Sequence, residues 1–279
     1  MQTVHTVAAL RAALAAMGPR ALVPTMGNLH AGHLALIERA RACGVPVVAS
    51  VFVNRLQFGP HEDFDRYPRT LERDAELLAG AGCALLFAPA EEDMYPRPQT
   101  FRVLPDPQLA GLLDGAARPG HFEGVATVVM KLLQLVQPSH AVFGKKDYQQ
   151  LLVIRAMVEQ FALPLEVIGL ETVRAADGLA LSSRNGYLDA AQREGAPRLQ
   201  AALRELAALA RAADADLAQL EAGAMQRLRE HGWDPDYLTV RRRSDLQPPS
   251  PYELQQPGTL VVLGAARLGT TRLIDNLEC

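Results

Sequence analysis

Residues 21–42 most narrow the folds open to this chain. Ala21 to Val23 reads as a short apolar strand, and it runs into V-P-T-M-G-N-L-H-A-G-H from Val23 to His33. An apolar-periodic run with Leu34, Ile37, Ala40 and Arg41 follows. Strand, tight turn and helix start, in that order, open a βαβ unit. A helix start offers unpaired N–H groups and partial positive charge, so the turn suits phosphate. Gly27 and Gly32 let a ligand approach the backbone closely. His30 and His33 are predicted on one face of the first turn. Two imidazoles there can donate hydrogen bonds to triphosphate oxygens and to charge developing at phosphorus. Zinc is a competing use of the pair, with Cys43 nearby. No acid or Cys pair completes a four-ligand set at the usual spacing, so the reading is nucleotide phosphate and no metal.

The rest of the chain repeats the alternation. Helices are predicted over Val4 to Met17, Leu34 to Ala42, Thr70 to Ala81 (capped by Thr70), Val125 to Val136 and Leu151 to Phe161. Buried strands are predicted over Val45 to Val53, Ala84 to Phe87, Ala141 to Phe143 and Leu165 to Leu170. The proline-interrupted stretch Met94 to Pro107 is expected to carry an edge strand. Alternating strands and helices imply an α/β fold, a Rossmann-like doubly wound parallel sheet over residues 1–174. After Arg174 the pattern changes to Ala/Leu/Arg-rich helices, Ala190 to Ala213 and Leu217 to Glu230, then strands Tyr237 to Arg241 and Thr259 to Leu263. Residues 175–279 are expected to form a smaller C-terminal α+β domain.

Composition excludes several classes. The formal net charge is −3, and no run of about 18 apolar residues suggests a membrane span. Neither nucleic acid nor membrane is an expected partner. Met1 to Ala21 has no signal-peptide core, and Cys43, Cys83 and Cys279 read as free thiols of a reducing compartment. There are only three Lys (Lys131, Lys145 and Lys146) against 25 Arg, which singles out positions where a compact ammonium is kept instead of a planar fork. Two of them stand in Gly144-Lys145-Lys146-Asp147, directly after a strand. Gln57 and Gln150 also follow strand ends, where ligands sit in open α/β sheets. Ser182, Ser183 and Arg184 offer hydroxyls and a fork to phosphate oxygens.

The H-x-G-H turn resembles the signature of the nucleotidyltransferase superfamily. The longer string P-T-M-G-N-L-H-A-G-H is similar to that of its pantothenate synthetase (pantoate–β-alanine ligase) family. Further blocks stand in that family's order: V-F-V-N-R-L-Q-F-G from Val51, E-D-F-D-R-Y-P-R from Glu62, R-P-G-H-F-E-G-V from Arg118 and F-G-K-K-D-Y-Q-Q from Phe143. D-G-L-A-L-S-S-R-N from Asp177 and R-L-I-D-N from Arg272 complete the set.

The resemblance implies an AMP-forming ligase that makes pantothenate from pantoate, β-alanine and ATP through pantoyl adenylate, with magnesium accompanying ATP. It implies ATP contacts at Met26, Gly27, Asn28, Leu29, His30, Ala31, Gly32 and His33. It extends them to Gly144, Lys145, Lys146, Asp147, Val173, Leu181, Ser182, Ser183 and Arg184. His33, His30 and Lys146 would be catalytic, Gln57 and Gln150 would hold pantoate, and Gln57 would also serve β-alanine. The C-terminal domain would act as a lid, and the protein would be a cytoplasmic homodimer. Arg55 departs from the family, which usually has Pro there. It is expected to loosen the loop that aims Gln57 and to add a cation near the acid site. Another nucleotidyltransferase, or a nucleotide-binding protein without catalysis, are the alternatives.

Overall fold

The computed structural model describes residues 1–60, 62–212 and 215–279. Six strands form one parallel sheet: β1 (Gln2–Val4), β2 (Ala21–Thr25), β3 (Val47–Val51), β4 (Leu85–Phe87), β5 (His140–Gly144) and β6 (Glu166–Leu170). Their spatial order is β1-β4-β3-β2-β5-β6. The longer helices between them are α1 (Val7–Ala15), α2 (Ala31–Arg41), α3 (Leu71–Gly80), α4 (His121–Val136) and α5 (Tyr148–Gln160). Strand side chains point alternately to the two faces, and here both faces are apolar because helices cover both. Leu22, Val48, Leu85 and Phe143 pack with Leu10, Leu14, Val129 and Ile154 on one face. Ala21, Val23, Val47 and Leu86 pack with Leu36, Ile37 and Leu78 on the other. This is the doubly wound α/β architecture that the alternation predicts. Central β2 lies between β3 and β5, so the strand order switches beside it, and the loops leaving these strands share one edge.

Past β6 the chain builds a three-stranded antiparallel sheet, β7 (Trp233–Arg242), β8 (Leu260–Leu268) and β9 (Thr271–Glu278), backed by α6 (Arg198–Leu209) and α7 (Leu217–Glu230). Leu199, Leu203, Leu206 and Leu228 bury one side of it against Leu238, Val240, Leu260 and Val262. Val261 and Leu263, with Leu246, close instead on Tyr148 at the start of α5. No helix among the described residues is long and apolar enough to cross a membrane.

Several local expectations change. Val4 belongs to an edge strand, and α1 begins after Thr6, whose hydroxyl accepts from the Ala9 amide. No strand forms between Met94 and Pro107 among the described residues. Pro96, Pro98 and Pro105 supply no N–H, the Val103 amide donates to Thr127 Oγ1, and β1 takes the sheet edge. Thr70 does not cap α3 with its side chain; its hydroxyl donates to Asp74. The run Ala190 to Ala213 breaks at Pro197 into a short helix, Ala190–Gly195, and α6, and Ala213 lies outside the described residues. The residues carrying R-L-I-D-N form β9. α2, α4 and α5 start at Ala31, His121 and Tyr148, earlier than Leu34, Val125 and Leu151, which draws three turn motifs into helix starts.

Candidate active site

Because α2 starts at Ala31, His30 is its N-cap and His33 sits in its first turn. The Gly32 amide donates to His30 Nδ1 (3.1 Å), and the His30 amide donates to His33 Nδ1 (3.3 Å). Each Nδ1 therefore accepts. A neutral imidazole carries a single N–H, so each ring keeps its proton on Nε2. The ring centroids are 4.1 Å apart. Burial, then the charge of Lys146, brings His30 down to a pKa of about 4. Burial, then His30, brings His33 down to about 3. Both are thus neutral hydrogen-bond donors near pH 7.

The turn before them is held from below. Buried Asp74 accepts from the amides of Asn28 (2.9 Å) and Leu29 (2.8 Å) and from the Thr70 hydroxyl (3.1 Å). Gly27 has φ +82°, and a Cβ there would lie 3.0 Å from Asp74 Oδ2. Sequence reasoning missed Asp74. Its signal is an acid one turn from Leu78 on the buried face of α3.

The opposite wall begins where β3 ends. Asn54 Nδ2 donates to Gln57 Oε1 (3.0 Å) and to Gly124 O (3.2 Å), while Asn54 Oδ1 accepts from Tyr95 (2.9 Å). The amide oxygen of Gln57 is thereby committed. Its Nε2 donates to Met26 Sδ (3.3 Å) and keeps a second hydrogen for a ligand. The main-chain carbonyl of Gln57 accepts from His121 Nδ1 (2.8 Å) and Arg118 (3.3 Å). Arg118 also grips both oxygens of Glu62 (2.5 and 2.6 Å). Arg55 does not add a cation to this wall. Its guanidinium lies over the Phe64 ring at 3.9 Å and 3.5 Å from Glu91, outside the cleft lining. The hydrogen bonds of Asn54, His121 and Arg118 hold the loop that carries Arg55.

One cleft collects most of the predicted residues. Met26, His30, Gly32, His33, Gln57, Gly144, Lys146, Asp147, Gln150, Val173 and the run Leu181 to Arg184 line it. Gly27, Asn28, Leu29, Ala31 and Lys145 do not. Leu29 is buried in the core, and Lys145 turns away to pair with Glu278 (2.9 Å) and Glu171. Phe52, Val125, Val128, Val129 and Leu132 give the Gln57 end an apolar wall. Lys146, Asp147, Gln150, Ser182 and Arg184 also face a second, more polar chamber that reaches Arg118 and Arg272. The segment from beyond β6 is tied across the cleft. Ser183 Oγ donates to Asn28 O (3.1 Å), and Arg184 meets both oxygens of Asp63 (3.1 and 2.9 Å). Burial works against ionisation of Asp63, but the bonds from Arg184 more than offset it and hold the carboxyl below its usual range.

The profile of the pantoate-beta-alanine ligase family matches residues 2–278. The chain belongs to the pantoate-beta-alanine ligase family. It is 68% identical to the pantothenate synthetase of Leptothrix cholodnii and 61% identical to that of Paracidovorax citrulli, over the whole of both chains in each case. Crystal structures of family members superpose on it. Pantothenate synthetase from Thermus thermophilus is 50% identical with a TM-score of 0.92, covering 100% of this chain and 99% of the other. Pantoate-beta-alanine ligase from Francisella tularensis, in complex with beta-gamma ATP and beta-alanine, is 31% identical with a TM-score of 0.85, covering 100% of this chain and 97% of the other.

Proposed function

We propose that the protein condenses pantoate with β-alanine, using ATP, through a pantoyl-adenylate intermediate, and releases AMP and pyrophosphate. The observation that carries the reading is the pair of neutral, Nε2-protonated imidazoles at the start of α2, in one cleft with Lys146, Arg184 and the donor end of Gln57. A carboxylate is a poor electrophile and needs activation. The pantoate carboxylate oxygen attacks the α-phosphorus, and the bond from that phosphorus to the bridging oxygen breaks. Pyrophosphate leaves with the electron pair, against His30, His33 and Lys146, and Arg184 joins them from the far side. The amine of β-alanine then attacks the acyl carbon. AMP leaves, the nitrogen loses a proton, and no protein nucleophile is used. Catalysis is positioning plus charge stabilisation. Gln57 and Gln150 hold the acid, whose dimethyl carbon suits the wall of Phe52, Val125 and Val128, and Gln57 also meets β-alanine. Magnesium enters as part of the nucleotide substrate, bound through phosphate oxygens. Residues 175–279 serve as a lid that brings Ser182, Ser183 and Arg184 onto the phosphates and excludes water. The beta-gamma ATP and beta-alanine in the complex of the Francisella tularensis relative support this reading.

The test is pantoate labelled with oxygen-18 in its carboxylate. One labelled oxygen is expected in AMP. Label in inorganic phosphate, or ADP as the product, overturns the route.

We also propose a homodimer. Thr100 to Leu104 has the composition of a strand, finds no sheet partner among the described residues, and leaves Phe101 88% and Leu104 75% exposed. A second copy would cover both. Light scattering should give twice the chain mass, and Phe101→Asp should shift it toward the monomer; a monomeric parent refutes the pairing.

A further inference from the structure

The closing block R-L-I-D-N has no part in the reading above, yet its last residue touches the nucleotide loop. Asn276, buried on β9, donates both hydrogens of its amide to main-chain carbonyls, Lys145 O at 2.9 Å and Lys146 O at 2.8 Å. These two carbonyls precede Asp147, the N-cap of α5, whose own side chain makes no capping bond. Among the described residues the loop has few other anchors. The Lys145 amide donates to Leu170 O, and the Lys145 side chain is drawn off to Glu171 and Glu278. Lys146 forms no ion pair among the described residues, so nothing on its side chain fixes the direction of its ammonium.

Asn276 is itself held from both sides. Its main-chain N–H donates to Asp275 Oδ1 (2.7 Å), and its main-chain carbonyl accepts from Arg174 (3.0 Å). Arg174 in turn grips both oxygens of Asp275 at 2.7 and 2.8 Å, just past the crossover from β6.

We infer that Asn276 is a positioning residue for Lys146, through which the C-terminal strand sets the catalytic loop of the other sheet. The chemistry is specific. Two carbonyls converging on one point need two donors on one group, and among short side chains only an amide supplies them. A carboxylate of the same size repels both oxygens, and a methyl group leaves two half-buried acceptors unpaired. The loop then relaxes, and a small displacement of a charge-stabilising group is costly in rate.

This inference rests on the proposed adenylation for its kinetic arm only. The experiment takes the full chain as parent, Asn276→Ala, the isosteric Asn276→Asp, Lys146→Ala and the Asn276→Ala/Lys146→Ala double variant. Pantoate-dependent single-turnover AMP formation and amide hydrogen exchange are read for each. Loss of Asn276 is expected to slow adenylation by about tenfold or more in the parent, and by less than about twofold where Lys146 is already absent, because contacts acting through one group are not additive. Hydrogen exchange is expected to rise over residues 143–148 while β7 and β8 keep their protection.

Equal losses in both backgrounds, or an unchanged parent rate, overturn the inference. So does faster exchange spread through β7 to β9 with none at the loop. If Asn276→Ala does not fold, Asn276→Asp is judged by the same criteria. If Lys146→Ala falls below detection, or the parent forms no AMP at all, hydrogen exchange decides alone. The last outcome counts against the proposed reaction and leaves the loop contact to be judged separately.

Discussion

His30 and His33 each use one ring nitrogen to hold the fold and leave the other for chemistry. Nδ1 caps the helix, so Nε2–H is the group turned to a ligand. In the proposed reaction a neutral donor suits the binding of a tetra-anionic nucleotide and the release of pyrophosphate, since it aligns oxygens without trapping them as a buried charge pair would. His33→Ala is expected to slow adenylation by about 100-fold, the usual loss for one transition-state donor, with a smaller rise in KM for ATP. Near-normal single-turnover rates would remove His33 from the mechanism. The same geometry sets a pH dependence of stability. The folded pKa values, about 4 and about 3, lie below the ordinary histidine value near 6.5. Above that value both states are neutral and stability does not change on their account. As pH falls below it, the unfolded chain binds protons the native chain refuses, so stability declines until the folded values are reached. Urea midpoints measured from pH 7.5 to 5 should fall in the parent and fall less steeply in His33→Gln. Parallel curves would contradict the assigned burial and tautomers.

At the scale of elements, the aim of Gln57 depends on how closely its turn, Arg55–Gln57, sits on the start of α4. A Cβ added to Gly124 would lie 2.1 Å from Leu56 O and 2.6 Å from Gln57 N. Both are backbone atoms, so the turn itself must move. Gly124→Ala should cost about 1–3 kcal/mol in stability, as overpacking does, and raise KM for pantoate about tenfold or more while KM for ATP changes little. Equal effects on both substrates would show that the turn does not aim Gln57. This contact also marks how far sequence reading reaches. β3 and the His turn are legible because their signals are local: a continuous apolar run, and glycines and histidines at a helix start. β1 is three residues long and shows no period. β9 hides because the buried polar residues Asp275 and Asn276 interrupt its apolar alternation. Gln57 can be named from its place after a strand. Asn54, His121 and Gly124, which decide which end of its amide is offered, are partners only in space.

Across the whole molecule, the two sheets meet around the cleft, and one contact across it lies at the end proposed for the phosphates. Arg184, from beyond β6, and Asp63, from the loop after β3, are 121 residues apart and form a two-bonded ion pair with both side chains largely shielded. Asp63 supplies the anion that a guanidinium at this depth needs. Removing it leaves Arg184 without a partner, which is costly in a shielded site. Asp63→Ala should therefore lower the thermal midpoint of the ligand-free protein. If Arg184 serves the nucleotide, the triphosphate then becomes its missing partner. ATP binds the native state alone, and the midpoint shift it produces grows with its affinity. The shift on adding Mg-ATP should thus be larger in Asp63→Ala than in the parent, and Arg184→Ala should show a smaller shift than either. A Mg-ATP shift in Asp63→Ala equal to or below the parent's would mean that Arg184 only ties the two sheets together. The phosphate grip would then rest on His30, His33 and Lys146, all of them on the parallel sheet's side of the cleft.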